Sequence, residues 1–320
     1  MEFNKELIYK IIDNKINKLE LHSLTKQELN TLIKTLNLNY SLKQINLSFN
    51  HLKDISLLCK SLKNNSCLEK LDLSWNKIKN INSLKFLSKS CLKKLNLYNN
   101  QIEDISSLKY LSNSCLQKLN LTNNKIEDLT PLKYLSNSCL QKLYLNYNQI
   151  KDITPLKFLE NNSCLQKLDL SYNKIEDITP LKFLKNNSCL KELVLINNQI
   201  KDISPLKFLS NSYLEYLDLS YNKIEDITSL KFLENNYCLK TLDLYSNKIK
   251  NITLLCKSLE NNSCLEYLDL SENQIEDITS LKFLSNSCLK ELYLYKNKIN
   301  NQYIQKIREL AELKQIELYI

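Results

Sequence analysis

The chain has 320 residues, with 44 Lys+Arg against 35 Asp+Glu for a formal charge of +9, and it contains no glycine. Because about 7% glycine is ordinary, this absence argues against folds whose glycine loops cradle a phosphate or dinucleotide, and so against nucleotide-dependent chemistry. At 43% hydrophobic and 25% charged the composition is that of a globular chain rather than a disordered one.

From the N-terminus, Met1-Glu2-Phe3-Asn4-Lys5-Glu6 is charged from its second residue and lacks the apolar core of a secretory signal. No later run approaches the eighteen or so apolar residues of a membrane span, so the expectation is a soluble intracellular, cytoplasmic protein. Glu2 to Asn14 reads as an amphipathic helix, and Thr25-x-x-Glu28 as a capping box opening a second.

A repeat then takes over. The pattern L-x-x-L-x-L-x-x-N-x-I begins at Leu42, Leu68, Leu92, Leu116, Leu140, Leu165, Leu190, Leu214, Leu239, Leu265 and Leu289, with spacings of 24 to 26 residues. Leu recurs at the first and sixth positions of all eleven copies. The ninth is always Asn: Asn50, Asn76, Asn100, Asn124, Asn148, Asn173, Asn198, Asn222, Asn247, Asn273 and Asn297. Degenerate copies at Ile16-x-x-Leu19-x-Leu21 and Leu313-x-x-Ile316-x-Leu318 extend the register, and Asn301 to Leu313 reads as a third helix. The predicted organisation is therefore an N-terminal helical cap with one degenerate repeat over 1–41, eleven repeats over 42–300, and a terminal helix and strand over 301–320, because the end repeats of an open core must be atypical.

Each unit has a physical logic. L-x-L alternation predicts a short strand with its Leu in the core, and stacked copies predict a parallel sheet. The ninth-position Asn amides should form a buried ladder that satisfies backbone groups at the turn. Thr130-Pro131, Thr154-Pro155, Thr179-Pro180 and Ser204-Pro205 read as helix starts with Ser/Thr as cap and Pro at the first helical position. The Asn closing each such segment is expected to take the left-handed conformation usually left to glycine.

The motif, its Asn and its period resemble the leucine-rich repeat family. The Asn/Asp-rich Ile-x-Asp-Ile form, as at Ile150-Lys151-Asp152-Ile153, is similar to the subclass typified by a regulatory subunit of protein phosphatase 1, and the Lys-, Asn- and Ile-heavy usage resembles the output of an A/T-rich genome such as those of some protists and large DNA viruses. The resemblance implies an α/β solenoid: a curved parallel sheet on the concave side and one short helix or 3₁₀ turn per repeat on the convex side. It also implies a protein-interaction scaffold without catalytic activity or cofactor, with a phosphatase catalytic subunit as one candidate partner. That subclass's contact residues do not carry over, since the variable positions share no motif with it.

Eleven cysteines follow the repeat. Nine (Cys67, Cys91, Cys115, Cys139, Cys164, Cys189, Cys238, Cys264 and Cys288) precede the first Leu of a unit, whereas Cys59 and Cys256 lie in the 26-residue units. Without Cys-x-x-Cys pairs and with two His, no metal site is expected. The cysteines are expected to be a stack of small buried thiols, near disulfide distance but free in a reducing compartment. His51, Asp54 and Cys59 fall in one repeat, but His51 occupies a position held elsewhere by Lys or Gln, so no catalytic residue is assigned.

Recognition is expected at the variable third, fifth, seventh and eighth positions. At the third, Lys70, Lys94, Lys118, Lys142 and Lys167 predict a ladder at strand spacing of about 4.8 Å. The fifth carries Asp169, Asp218, Asp243 and Asp269, and the eighth carries Phe49, Trp75, Tyr147, Tyr172 and Tyr221 as a row of anchors for a protein partner. Residues 1–160 hold 24 basic and 14 acidic side chains, against 20 and 21 in residues 161–320. This predicts an acidic partner on the N-terminal half of a monomer. The alternative is nucleic acid or another polyanionic surface on the same basic half; it is less favoured because phosphate recognition prefers Arg and the chain has one, Arg308.

Overall fold

The computed structural model describes residues 3–320, the side chains of Asn211, Asn301, Lys306 and Leu310 apart. The chain divides into two compact units, Met1–Leu165 and Gln166–Ile320. Met1 and Glu2, included in the expected N-terminal cap and helix, lie outside the described residues.

The first unit opens with helix α1 (Lys5–Ile12), capped by the Asn4 side chain, which accepts from Leu7 N at 2.9 Å. Strand β1 (Lys18–Glu20) follows, and then α2 (Lys26–Leu36) behind a complete capping box: Glu28 N donates to Thr25 Oγ1 and Thr25 N to Glu28 Oε2. Strands β2 (Gln44–Asn46), β3 (Lys70–Asp72), β4 (Lys94–Asn96), β5 (Lys118–Asn120) and β6 (Lys142–Tyr144) complete a sheet of six described parallel strands in sequence order. In the second unit, β7 (Lys167–Asp169), β8 (Glu192–Val194), β9 (Tyr216–Asp218), β10 (Thr241–Asp243), β11 (Tyr267–Asp269), β12 (Glu291–Tyr293) and β13 (Glu317–Tyr319) pair in the same way. Each strand is three residues with the middle Leu or Ile turned inward, as alternation requires.

The core is the repeat itself. Leu68, Leu71 and Leu73, then Ile78, Ile81, Leu84 and Leu87, are at most 1% exposed, and the same positions are buried unit after unit. At about 1.5–3 kcal/mol per fully buried aliphatic side chain, this periodic core is the main stabilising term in each unit. Behind most strands runs a 3₁₀ turn, such as Thr154–Asn161; in the two 26-residue units α3 (Ser56–Ser61) and α4 (Thr253–Leu259) form instead, and at the ends α2 follows β1 and α5 (Asn301–Lys314) follows β12. An α-helix rises about 1.5 Å per residue against 2.0 Å for a 3₁₀ turn, so a longer unit crosses the same distance by adopting the tighter rise. Cys59 and Cys256 are the buried cysteines of these helices.

Three local expectations are corrected. First, Thr154 is not a cap: the 3₁₀ turn has no side-chain cap on Ile153, and Asp152 Oδ1 accepts from Thr154 N at 2.8 Å and from its hydroxyl at 2.7 Å. The same aspartate or asparagine turn recurs, for example at Asp54, Asp104, Asp177, Asp226 and Asn251. The carboxylate two residues upstream takes both the Thr154 amide and its hydroxyl, so the hydroxyl points back to Asp152 rather than forward to the next turn.

Second, the Asn closing the turns is not left-handed. Asn162, Asn187 and Asn236 have φ between −82° and −96°, and they act through buried side chains: Asn236 Nδ2 donates to Leu209 O at 2.8 Å while its Oδ1 accepts from Cys238 N and Leu239 N. The left-handed residue is instead the eighth of every repeat, from Phe49 and Trp75 to Lys296, with φ of 50° to 58°.

Third, the nine repeat cysteines are not a buried stack of free thiols. They lie ahead of the strand, outside the leucine core, where all nine are exposed or half-buried; seven are free, and Cys139 and Cys164 are joined by a disulfide with Cα atoms 5.7 Å apart. Strand stacking brings the equivalent positions of successive repeats within bridging range.

Candidate partner-binding face

Beneath the sheet face lies the asparagine ladder that fixes it. Asn124 is typical: its Nδ2 donates to the carbonyls of Leu97 and Leu121 at 3.0 Å and of Thr122 at 3.3 Å, and its Oδ1 accepts from Ile102 N at 3.0 Å. Asn50, Asn76, Asn100 and Asn148 in the first unit, and Asn173, Asn198, Asn222, Asn247 and Asn273 in the second, are likewise buried; Asn297 is half-buried. Within each unit these amides tie their own turn to backbone of the adjacent repeat, so residues displayed one or two positions earlier are held in a common register.

In the first unit Lys70, Lys94, Lys118 and Lys142 stand opposite one another at the first residue of β3 to β6, with Gln44 and Lys18 continuing the row on β2 and β1. Lys18, Gln44, Lys70, Lys94 and Lys118 border a groove of about 220 Å³ over β1 to β5, with Glu20, Asn46, Asp72 and Asn96 also lining it. Lys118 Nζ lies 5.0 Å from the centre of the Tyr144 ring, a cation–π arrangement that holds one ammonium over the sheet. Among the described residues, no ion pair joins Lys70, Lys94 or Lys142 to an acid. Asn96 Nδ2 donates to Asp72 Oδ2 at 2.8 Å, which occupies the nearest carboxylate.

The aromatic row is adjacent but differently built. Trp75 and Phe49 are 42% and 49% exposed, and their rings stack at 5.2 Å and 12°, with Tyr98 edge-on to Trp75 at 5.4 Å. They occupy the left-handed turn after the strand, not the strand. Tyr147 is exposed at the same position of a later repeat.

The second unit departs from the expectation of a continued ladder and a charged acidic row. Lys167 is ion-paired with Glu192 on the neighbouring strand, so its charge is already answered. Asp218, Asp243 and Asp269 are register neighbours on β9 to β11, and Asp169 lies on β7. Burial, then the neighbouring Asp218, pushes the Asp243 carboxyl up to about 7, and burial also raises Asp169 and Asp269. Neighbouring carboxylates on adjacent strands resist carrying charge together out of water, and the row is also a hydrogen-bonded seam. Tyr216 donates to Asp218 Oδ2 at 2.9 Å, and Ser220 donates to Asp218 Oδ1 through both its amide and its hydroxyl. Tyr221 is exposed, edge-on to Tyr245 at 5.0 Å, whereas Tyr172 is half-buried.

Sequence reasoning missed Tyr98 and Tyr144 in the first unit and the phenol series Tyr216, Tyr267, Tyr293 and Tyr319 in the second, where Tyr293 and Tyr319 stack at 4.3 Å. Their signal was available, since all stand at the variable strand positions already singled out. His51, Asp54 and Cys59 form no reactive group: the Cys59 thiol is fully buried and pushed up to about 12 by desolvation, and Asp54 is held by Ser56. Among the described residues no group of three or more His, Cys, Asp or Glu is arranged to hold a metal ion, and no helix is long and apolar enough to cross a membrane.

Comparison with known proteins agrees with this architecture. A model for leucine-rich repeats in two copies matches residues 92–134, 140–183, 190–232 and 239–283, more than half of the chain, and a single-repeat model matches 64–81. Among solved structures, an internalin (inlF) of Listeria monocytogenes is 28% identical, with 90% of this chain and 82% of that one covered at a TM-score of 0.69. A leucine-rich repeat protein of Leptospira interrogans is 21% identical over 100% of this chain and 99% of its own, at 0.61. A plant peptide hormone receptor, of which the match spans 49% against 94% of this chain, is 19% identical at the same TM-score of 0.61. The last two likenesses concern the fold alone. No curated protein matches the chain by sequence.

Proposed function

The chain belongs to the leucine-rich repeat family, and from that premise we propose that it is a non-catalytic scaffold binding one protein partner on the sheet face of its basic half. Proteins of this family generally mediate protein–protein interaction. The observation that carries the finer reading is the register-paired row Lys70, Lys94, Lys118 and Lys142, the first three bordering a groove, together with the exposed Phe49–Trp75 stack. Like charges at strand spacing repel one another, and an acidic segment laid across them relieves that repulsion while the aromatics supply the apolar anchor. Residues 42–300 are the recognition array in this reading, with 1–41 and 301–320 closing it. A regulatory subunit presenting this face to a phosphatase catalytic subunit is one form the function takes, resting on the resemblance of the Ile-x-Asp-Ile units to that subclass.

The test is affinity capture from native extract of the wild-type chain beside a variant with Lys70, Lys94, Lys118 and Lys142 reversed to Glu, each with and without nuclease. One protein retained by the wild type, lost from the variant and insensitive to nuclease is the expected result. Identical protein lists from both would refute the assignment, and capture that vanishes with nuclease would transfer the face to nucleic acid.

A further inference from the structure

The cysteine preceding the first Leu of each repeat has no part in partner binding as argued above, and its geometry points to a second property. We propose that these cysteines form an exchange track, on which a disulfide joins any two cysteines of adjacent repeats within a unit and moves between them by thiol–disulfide exchange. The bond between Cys139 and Cys164 is one rung of that track.

Three observations carry the proposal. The joined Cα atoms are 5.7 Å apart, close to the spacing of about 4.8 Å at which parallel strands stack, and the same stacking sets equivalent cysteines of neighbouring repeats opposite one another. Backbone contacts join other neighbouring rungs: Cys91 N donates to the carbonyl of Ser66, the residue before Cys67, at 3.2 Å. Likewise the Cys264 thiol donates to the carbonyl of Tyr237, the residue before Cys238, at 2.6 Å, and Cys288 N donates to Asn262 O at 3.4 Å.

The second observation is that the backbone at five of the rungs is held by the same asparagine turn. The side-chain oxygens of Asn65, Asn162, Asn187, Asn236 and Asn262 each accept from the cysteine amide two residues on, at 2.9 to 3.0 Å. Third, the thiols are accessible. Cys67, Cys91, Cys115 and Cys288 are exposed, and Cys189, Cys238 and Cys264 half-buried, unlike Cys59 and Cys256 in the core.

Cys67, Cys91, Cys115, Cys139 and Cys164 make an unbroken run of five in the first unit. In the second unit Tyr213 replaces one cysteine and leaves the run Cys238, Cys264 and Cys288. The elementary step balances without an external oxidant. The Cys115 thiolate attacks Cys139 Sγ, a bond forms between them, the Cys139–Cys164 bond breaks, and Cys164 leaves as a thiolate that takes a proton from water. Closing a further rung consumes a low-molecular-weight disulfide and releases two molecules of the corresponding thiol.

The experiment is disulfide mapping of the full chain, wild type and Cys164→Ser, after equilibration at pH 8 with reduced and oxidised glutathione, acid quenching, alkylation and non-reducing digestion. In the wild type, bonds confined to adjacent rungs are expected, including 115–139 beside 139–164, with free Cys164 amounting to at least about a tenth of the molecules once exchange has equilibrated. In Cys164→Ser, whose folding is checked by circular dichroism, the bond is expected at 115–139. A wild type in which 139–164 alone forms and Cys164 is never free, bonds between non-adjacent rungs, or no bond at all would each overturn the proposal. The wild-type measurement decides the matter even if the variant fails to fold, and alkylation of Cys59 and Cys256 reports unfolding during the assay.

Discussion

Replacing Asn124 by alanine tests whether the asparagine ladder is a structural device or an incidental polar row. The side chain makes four hydrogen bonds, but their loss is unequal. The carbonyl of Leu97 also accepts from Asn100, that of Leu121 from Asn148, and that of Thr122 from Asn99 N. Only the Ile102 amide, whose acceptor is Asn124 Oδ1, is orphaned in a site closed to water. One unsatisfied buried donor costs about 1–3 kcal/mol, and three weakened shared acceptors add roughly 1 kcal/mol together, so a loss of about 2–4 kcal/mol is expected in urea unfolding. Asn297→Ala orphans Ile275 N in the same way, but Asn297 is half-buried, so water can replace it and about 1 kcal/mol is expected. Hydrogen exchange at the Ile102 amide gives the site-resolved readout and should accelerate in Asn124→Ala. Equal losses from the two variants, or an unchanged Ile102 exchange rate, would refute the reasoning.

The Asp243 carboxyl titrates near 7 because it is buried beside Asp218 and Asp269. Its folded-state affinity for a proton exceeds the unfolded one, so its contribution to stability is complete below about pH 4 and is lost as the pH rises through about 7. Asp243→Asn should therefore raise stability at pH 8 by about 2 kcal/mol, discounted for partial exposure, and change little at pH 4; thermal unfolding across pH checks the sign. Asp152→Ala removes the acceptor of the Thr154 amide and hydroxyl and should cost about 1 kcal/mol, as loss of a capping side chain does, measured by urea unfolding. Reducing the Cys139–Cys164 bond, which closes a 25-residue separation, should lower stability by about 3 kcal/mol on the chain-entropy account, read as a lower unfolding midpoint in the presence of a phosphine reductant.

The fold was legible because the repeat over-determines it. Leu at the first, fourth and sixth positions and Ile at the eleventh can satisfy the hydrophobic effect only by stacking units, which dictates parallel strands in sequence order. Details that rest on competition between polar groups were not legible. Thr154 followed by Pro155 satisfies the usual pattern of a helix start, but the pattern does not reveal that Asp152 draws the Thr154 hydroxyl back onto itself as a donor. The five-lysine ladder is a similar case. Repetition predicts the register of Lys70 through Lys142, yet the isolation or pairing of a given ammonium depends on the residue across the strand, and Glu192 opposite Lys167 is visible only once the register is known. The aspartate row failed for the same reason: a sequence gives formal charges, while burial and mutual proximity decide whether they exist.

The missing glycine becomes intelligible at the eighth position. All eleven repeats place it in the left-handed region, which costs a residue with a side chain about 1–2 kcal/mol. Asparagine, which lowers that cost, is used three times, at Asn99, Asn123 and Asn197, whereas five repeats place Phe, Trp or Tyr there. An aromatic at such a turn recovers part of the cost only where its ring has a neighbour. Phe49 and Trp75 meet this condition by stacking, and Tyr221 by its contact with Tyr245, each worth about 0.5–1.5 kcal/mol. The exchange is near neutral for folding, so stability alone does not favour these rings over asparagine. What distinguishes them is the apolar surface left facing solvent beside the lysine row, which is the surface a protein partner would cover.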